Sequence, residues 1–241
     1  MRMTREEMRA LPLLEMPVTA RLKFVKTGKL QYISHLDLQR TMMRVIARSG
    51  IPVWFTQGFN PHAKLIFAAP IAVGVQSVCE LLDIRLDRKM NPADLIDTLN
   101  AHLTQELCVI EAYYPDTKFA DIVYADYSVD IKTCGGTLEL VREIDAKLRS
   151  GELKAIKKSK SGEKEIDVTS VINRLSLSFD EHTGLIKMSL RLPAGNIESI
   201  SPEVIIGVLR ESCGILSGDP TKEWYTIMRT KLLRGNGEEF R

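Results

Sequence analysis

Hydrophobic periodicity in this chain switches between two and 3.6 in a fixed order and then does so again, and this restricts the available folds more than any other feature. In TARLKFVK, residues Ala20, Leu22 and Phe24 fall on one face and Arg21, Lys23 and Val25 on the other, the period of a strand. After a turn at Thr27-Gly28, SHLDLQRTMMRVIARSG starts with Ser34 as N-cap, has Asp37 at the capping-box position and ends at Gly50, which predicts a helix. IPVWFTQ and KLIFAAPIAVGV read as strands, and CELLDIRLD extends the sheet. Pro92 opens a helix over PADLIDTLNAHL, and ELCVIEAYY returns as a strand.

From Asp121 the pattern restarts. IVYADYSVDIK alternates, TLELVREIDAKLRSG reads as a helix with Leu138, Val141, Ile144 and Leu148 inward, and RLSLSF and LIKMSLRL flank a turn from Asp180 to Gly184. SPEVIIGVLRES has Ser201 as N-cap and Pro202 at the first helical position, and EWYTIMRTKLLR closes the half as a strand. A Lys-rich hairpin, GELKAIKKSKSGEKEIDV, is predicted to turn between Ser159 and Gly162. The expected fold is α+β: two tandem ferredoxin-like domains, each β-α-β-β-α-β, over residues 17–118 and 119–235.

Charge is unevenly distributed over this frame. Arg21 to Lys64 hold eight of the 33 Lys and Arg residues and only Asp37 of the 31 acids, so the remainder carries 25 basic and 30 acidic residues. A basic face on an otherwise acidic protein attracts polyanions, nucleic acid foremost; it also serves solubility alone. On a helical wheel Leu36, Leu38, Met42, Met43, Val45, Ile46 and Ala47 cover the buried arc, and Arg40, Arg44 and Arg48 line the opposite side at i, i+4 and i+8. Arg21 and Lys23 are candidates for the open face of the first sheet, with no aromatic beside them on the strand.

The densest local motif is QGFNPHAK. Gly58 permits positive φ, Asn60-Pro61 directs a turn, and His62 and Lys64 supply donors, a combination that suits a phosphate-cradling loop and equally a plain hairpin connection. His35, after the cap of the first helix, projects toward Met42 and Ile46 and reads as a packed histidine; it would serve in acid-base chemistry only in a cleft shared with His62. The five lysines of the hairpin, Lys154, Lys157, Lys158, Lys160 and Lys164, suit either a grip on phosphates or protection of a strand edge.

Several classes are disfavoured. GxSxG, HExxH, GxxxxGK[ST] and GxGxxG do not occur, and Cys79, Cys108, Cys134 and Cys213 are too dispersed for a zinc or iron–sulfur centre and read as buried, reduced side chains. No cofactor or metal is expected. No apolar run nears the roughly 18 residues of a membrane span, and the opening MRMTREEMRALPLLEMP lacks the features of a secretion signal, so the expected location is cytoplasmic.

The strings SHLDLQR, GFNPHAK and PIAVGVQSVCELLDI, continued by EIDVTSVI, resemble the radical-SAM-linked protein family, a domain family of unknown function. The resemblance implies a module that stands alone or at the C-terminus of a radical S-adenosylmethionine protein and helps it act on RNA or the ribosome. This chain has no CxxxCxxC, so radical chemistry would be supplied in trans. A weaker similarity of architecture is to the CRISPR-associated RAMP-type endoribonucleases, some of which use a histidine; here His35 or His62 would correspond.

The expected function is therefore a non-catalytic RNA-binding or accessory module acting with a radical SAM protein. Its contacts would be Arg21, Lys23, Arg40, Arg44, Arg48, Asn60, His62 and Lys64. The alternatives are a metal-independent endoribonuclease using His35 or His62, and a docking scaffold whose basic stretch meets an acidic patch on the radical SAM enzyme.

Overall fold

Period-two alternation becomes real strands where a neighbouring strand takes up the backbone hydrogen bonds. The computed structural model, which describes residues 3–150, 154–159, 162–172, 174–195, 198–216, 219 and 221–241, is a mixed α+β structure with mostly antiparallel sheet. The chain divides into two compact units, Met1–Phe119 with Arg241, and Ala120–Phe240.

In the first unit, helix α1 (Arg5–Ala10) leads into β1 (Leu13–Lys26), α2 (His35–Ser49), β2 (Leu65–Phe67), β3 (Val75–Arg88), α3 (Pro92–Asn100) and β4 (Val109–Tyr113). The strand order is β4-β1-β3-β2, each neighbour antiparallel to the next. Ala20, Leu22 and Phe24 of β1 and Leu82, Ile84 and Leu86 of β3 share one face of this sheet, in the register Ala20↔Ile84, Leu22↔Leu82. Leu38, Met42, Val45 and Ile46 of α2 and Leu95 and Leu99 of α3 bury themselves in the same core. Burying a side chain of this size contributes roughly 1.5–3 kcal/mol, which is what holds both helices to that face.

In the second unit, β5 (Tyr124–Lys132), α4 (Leu138–Arg149), the hairpin β6 (Lys154–Ser159) and β7 (Gly162–Asp167), α5 (Thr169–Ile172), β8 (Ser176–Asp180), β9 (Leu185–Pro193), α6 (Pro202–Cys213) and β10 (Trp224–Leu233) follow in turn. The strands are ordered β10-β5-β9-β8, again antiparallel, and β6 and β7 pair only with each other. With that hairpin and α5 set aside, the connectivity repeats the first unit's. Ala125, Val129 and Ile131 of β5, Ile186, Met188 and Leu192 of β9, and Val141, Ile144 and Leu148 of α4 are buried. The side chains of Lys154, Lys157, Lys158 and Lys164, and all of Lys160, lie outside the described residues.

Five expectations need correction, one being Leu138, which was expected inward on α4 and is exposed. IPVWFTQ is not a strand: Val53 and Phe55 make only isolated bridges, to Leu86 and Ala63, because Pro52 brings no N–H and the chain leaves the sheet after Trp54 N–H reaches the Arg85 carbonyl. KLIFAAPIAVGV is strand only over Leu65–Phe67, since Ala69 (φ 37°) and Gly74 (φ 90°) turn the chain away. On α2 the buried arc is narrower than the wheel suggests, with Leu36 and Ala47 exposed and Ser49 inside, its hydroxyl bonded to the Ile46 carbonyl. Cys134 is exposed and only Cys79 is fully buried; all four cysteines are free. Helix α1 was not expected, although Thr4 and Glu7 form a full capping box.

Gly50 ends α2 in the left-handed conformation (φ 72°), and a Cβ there would meet the Arg5 side chain at 3.0 Å. Gly50→Ala is therefore expected to cost about 1 kcal/mol or more, read as a lower urea midpoint at unchanged slope.

Candidate nucleic-acid interface

The first cationic surface is built by α2. Ser34 Oγ accepts the Asp37 N–H at 3.1 Å and donates to Asp37 Oδ2 at 2.7 Å, fixing the first turn, and Gly50 fixes the end. Because Leu38, Met42, Val45 and Ile46 face the core, Arg40, Arg44 and Arg48 project from the opposite side and are exposed. Arg40 lies 3.8 Å from Asp37, both side chains more than half exposed, a contact worth little. Arg44 and Arg48 have no acidic partner among the described residues. Arg5, from α1, donates to the Arg48 carbonyl at 3.0 Å and so adds a fourth guanidinium at the negative end of the α2 dipole.

The second surface is an arm over residues 55–64. The Phe55↔Ala63 bridge closes it, Thr56 N–H donates to the His62 carbonyl at 3.0 Å, and His62 N–H donates to Thr56 Oγ1 at 3.1 Å. His62 Nδ1 lies 3.0 Å from the Asn60 carbonyl and 3.1 Å from Thr56 Oγ1. A carbonyl oxygen can only accept, so Nδ1 carries the proton, and Nε2 is the acceptor atom of the neutral ring. Gly58 (φ 134°) sits at the tip with open space where a side chain would be. Phe59 is fully exposed, Phe55 half exposed, and Asn60, His62 and Lys64 are exposed as well. An arm that exposes two aromatic rings, a lysine and a histidine offers groups that can stack on bases and groups that can meet phosphates. Arg85, exposed on β3, lies 5.6 Å from the Trp54 ring at the arm's base.

Other candidates are used internally. Arg21 is 1% exposed; its Nε and Nη2 donate to Asp83 at 2.7 and 2.9 Å, and Nη1 and Nη2 to the Thr117 hydroxyl and carbonyl at 2.8 and 3.1 Å. Its guanidinium also lies 4.2 Å from the Phe119 ring. Burial opposes the charge, but the hydrogen bonds and charges of Asp83 and Tyr113 together hold the pKa above its ordinary value. Arg21 is thus a structural cation, not a surface contact. Lys26, from the same basic stretch, is buried with Nζ donating to the Gln31 carbonyl at 3.2 Å. Lys23 is half-buried on β1 between Leu81 and Glu111 in the strand register.

His35 is exposed and not a core residue, its ring edge-on to Phe67 at 5.1 Å. His62 is held by Asn60 and Thr56 instead, so no hydrogen bond or ring contact joins the two histidines. The structure brings together Arg40, Arg44 and Arg48 on one helix face, and Asn60, His62 and Lys64 on one arm. Phe55, Phe59 and Arg5 complete these surfaces and were not singled out from the sequence. The capping box Thr4-Glu7 was the available signal for Arg5; for Phe55 it was Pro52, which weakens a strand assignment.

Among the described residues no group of three or more His, Cys, Asp or Glu is placed to hold a metal ion, and no helix is long and apolar enough to cross a membrane. The family model for uncharacterized proteins conserved in bacteria (DUF2344) matches residues 20–202. The chain belongs to this family. The match takes in α2 and the arm, and its description names no activity, ligand or partner. No curated protein matches the chain.

Removing Asp83 would strand the buried Arg21 charge. Asp83→Ala is expected to lower stability by about 3–5 kcal/mol, and Arg21→Met combined with Asp83→Leu to recover much of it, both measured by denaturant unfolding.

Proposed function

We propose that the chain is a non-catalytic module that binds single-stranded RNA, alone or within a ribosome-related assembly, through the first unit. The observation that carries this reading is the arm of residues 55–64, which exposes Phe55 and Phe59 together with His62 and Lys64. Uncovered aromatics on an exposed arm are costly in water and useful to a base that stacks on them, while Lys64, Arg40, Arg44 and Arg48 supply phosphate affinity without reading sequence. The fold reading that goes with it is two ferredoxin-like domains over residues 17–118 and 119–235. The recurring order of outer, central, central and outer strand in both units supports it.

The partner is a radical S-adenosylmethionine protein, supplying chemistry this chain does not encode; the support is the resemblance of SHLDLQR and GFNPHAK to modules linked to such enzymes. Co-purification of the two after nuclease treatment is the expected result, and loss of association on nuclease treatment would leave only a shared RNA.

A second reading, a metal-independent endoribonuclease, is favoured by one observation: the Asn60 carbonyl fixes the His62 tautomer, leaving Nε2 as an acceptor on an exposed ring. Cleavage of single-stranded RNA that vanishes in His62→Ala would support that reading over binding alone.

Binding of a single-stranded RNA should weaken steeply with salt. Replacing Arg40, Arg44 and Arg48 together with Ala should reduce the slope of log K against log salt by about 2, at roughly 0.7 per lost phosphate contact. Phe59→Ala should instead lower affinity by about 1–3 kcal/mol at every salt concentration, leaving the slope unchanged. Salt-independent binding would remove the proposal.

A further inference from the structure

The second unit has a polar trough of its own. On β5, Ala125, Tyr127, Val129 and Ile131 face the core, so Asp126, Ser128 and Asp130 lie on the opposite face. The register then sets three rows across the sheet. Asp126 pairs with Arg191, Ser128 with Ser189 and Ser189 with Ser176, and Asp130 with Lys187. Two rows are ion pairs: Arg191 holds Asp126 through two bonds of 2.6 and 2.9 Å, and Lys187 Nζ lies 3.0 Å from Asp130. Between them run three short side chains, spaced by roughly 4.8 Å per strand. The low middle row leaves a cleft of about 480 Å³, open to solvent and lined by Asp126, Ser128, Arg174, Ser176, Ser189 and Arg191.

Ser176 and Ser189 are exposed and Ser128 half-buried, and the cleft has two further features. The hydroxyls of Ser128, Ser176 and Ser189 have no hydrogen-bond partner among the described residues, and they converge on one concavity. Arg174, at the rim, is exposed, lies 5.7 Å from the Tyr124 ring and has no acidic partner among the described residues. The acids of the floor are neutralised by Arg191 and Lys187, so Arg174 leaves the trough with a net attraction for an anion. The volume falls within the roughly 300–1,000 Å³ usual for small-ligand sites.

We propose that this trough binds a phosphorylated sugar, ribose phosphate being the smallest unit that carries both kinds of group: its hydroxyls lie along the Ser128–Ser189–Ser176 row and its phosphate meets Arg174. An isolated anion would leave the row unused, and a neutral sugar would leave Arg174 unused. The unit can come from a free nucleotide or from an RNA strand. The inference does not rest on RNA binding by the first unit.

The test titrates the full chain with ribose 5-phosphate, ribose, inorganic phosphate, adenosine monophosphate and a short single-stranded oligoribonucleotide, following the Ser128 and Ser189 amide resonances. Ribose 5-phosphate is expected to shift both amides and to bind about tenfold or more tightly than ribose or phosphate alone. Arg174→Ala should lose about tenfold or more, Arg174→Lys should recover part of it, and Ser189→Val should lose binding with the circular dichroism unchanged. Tighter binding of the mononucleotide marks a free nucleotide as the source, and tighter binding of the oligonucleotide marks a strand; either supports the site. Unmoved amides with every probe at millimolar concentration would overturn it, as would affinity unchanged in both Arg174→Ala and Ser189→Val. The Arg40, Arg44 and Arg48 triple replacement should leave ribose 5-phosphate binding intact, so failure of the RNA reading and failure of this one are separately visible.

Discussion

The two-sidedness of α2 is the constraint on which the functional account depends. Leu38, Met42, Val45 and Ile46 recur at the spacing of one helix face and are buried in the core with Ala20, Leu22 and Phe24 of β1. With that face committed, the residues two and six positions after Leu38 and three after Val45 have nowhere to go but outward. Arg40, Arg44 and Arg48 are therefore displayed together by hydrophobic packing, and no ion pair is needed to hold them there. Rotating α2 to hide them would expose four large apolar side chains, at roughly 1.5–3 kcal/mol each.

The same stretch of sequence uses its other cations differently. Arg21 satisfies Asp83 and Thr117 inside the first unit, and Lys26 bonds a backbone carbonyl from a buried position. A buried guanidinium with its donors engaged brings specificity of register, since Arg21 and Asp83 face each other across β1 and β3. Local net charge thus overstates the surface field, and only side chains outside the core contribute to it.

What could be read in the sequence followed from whether the signal was local. Ser34 and Gly50 bound α2 through caps that involve near neighbours, and β5 and β9 alternate cleanly because each has one buried face. IPVWFTQ has the same alternation but makes only isolated bridges and runs into the arm, because alternation reports which side of a segment is buried and not whether a neighbour accepts its hydrogen bonds. Arg21 read as a solvent-facing residue because its partner is 62 positions away, on a strand whose register no local pattern reveals. Phe55 and Phe59 were hidden for the converse reason: aromatic side chains are expected inside, and only the fold shows these two outside. His35 projects toward the core on a wheel, yet at the first turn of α2 it is exposed and edge-on to Phe67.

A basic helix face and an aromatic arm contributed by one unit form an account that can be addressed residue by residue. The most direct measurement is ultraviolet crosslinking of the full chain to single-stranded RNA, followed by identification of the crosslinked peptides. The account predicts crosslinks at Phe55, Phe59 or His62, lost when both phenylalanines are replaced by leucine while the fold is retained. Efficient crosslinking confined to peptides outside residues 35–64, unchanged by that replacement, would contradict it.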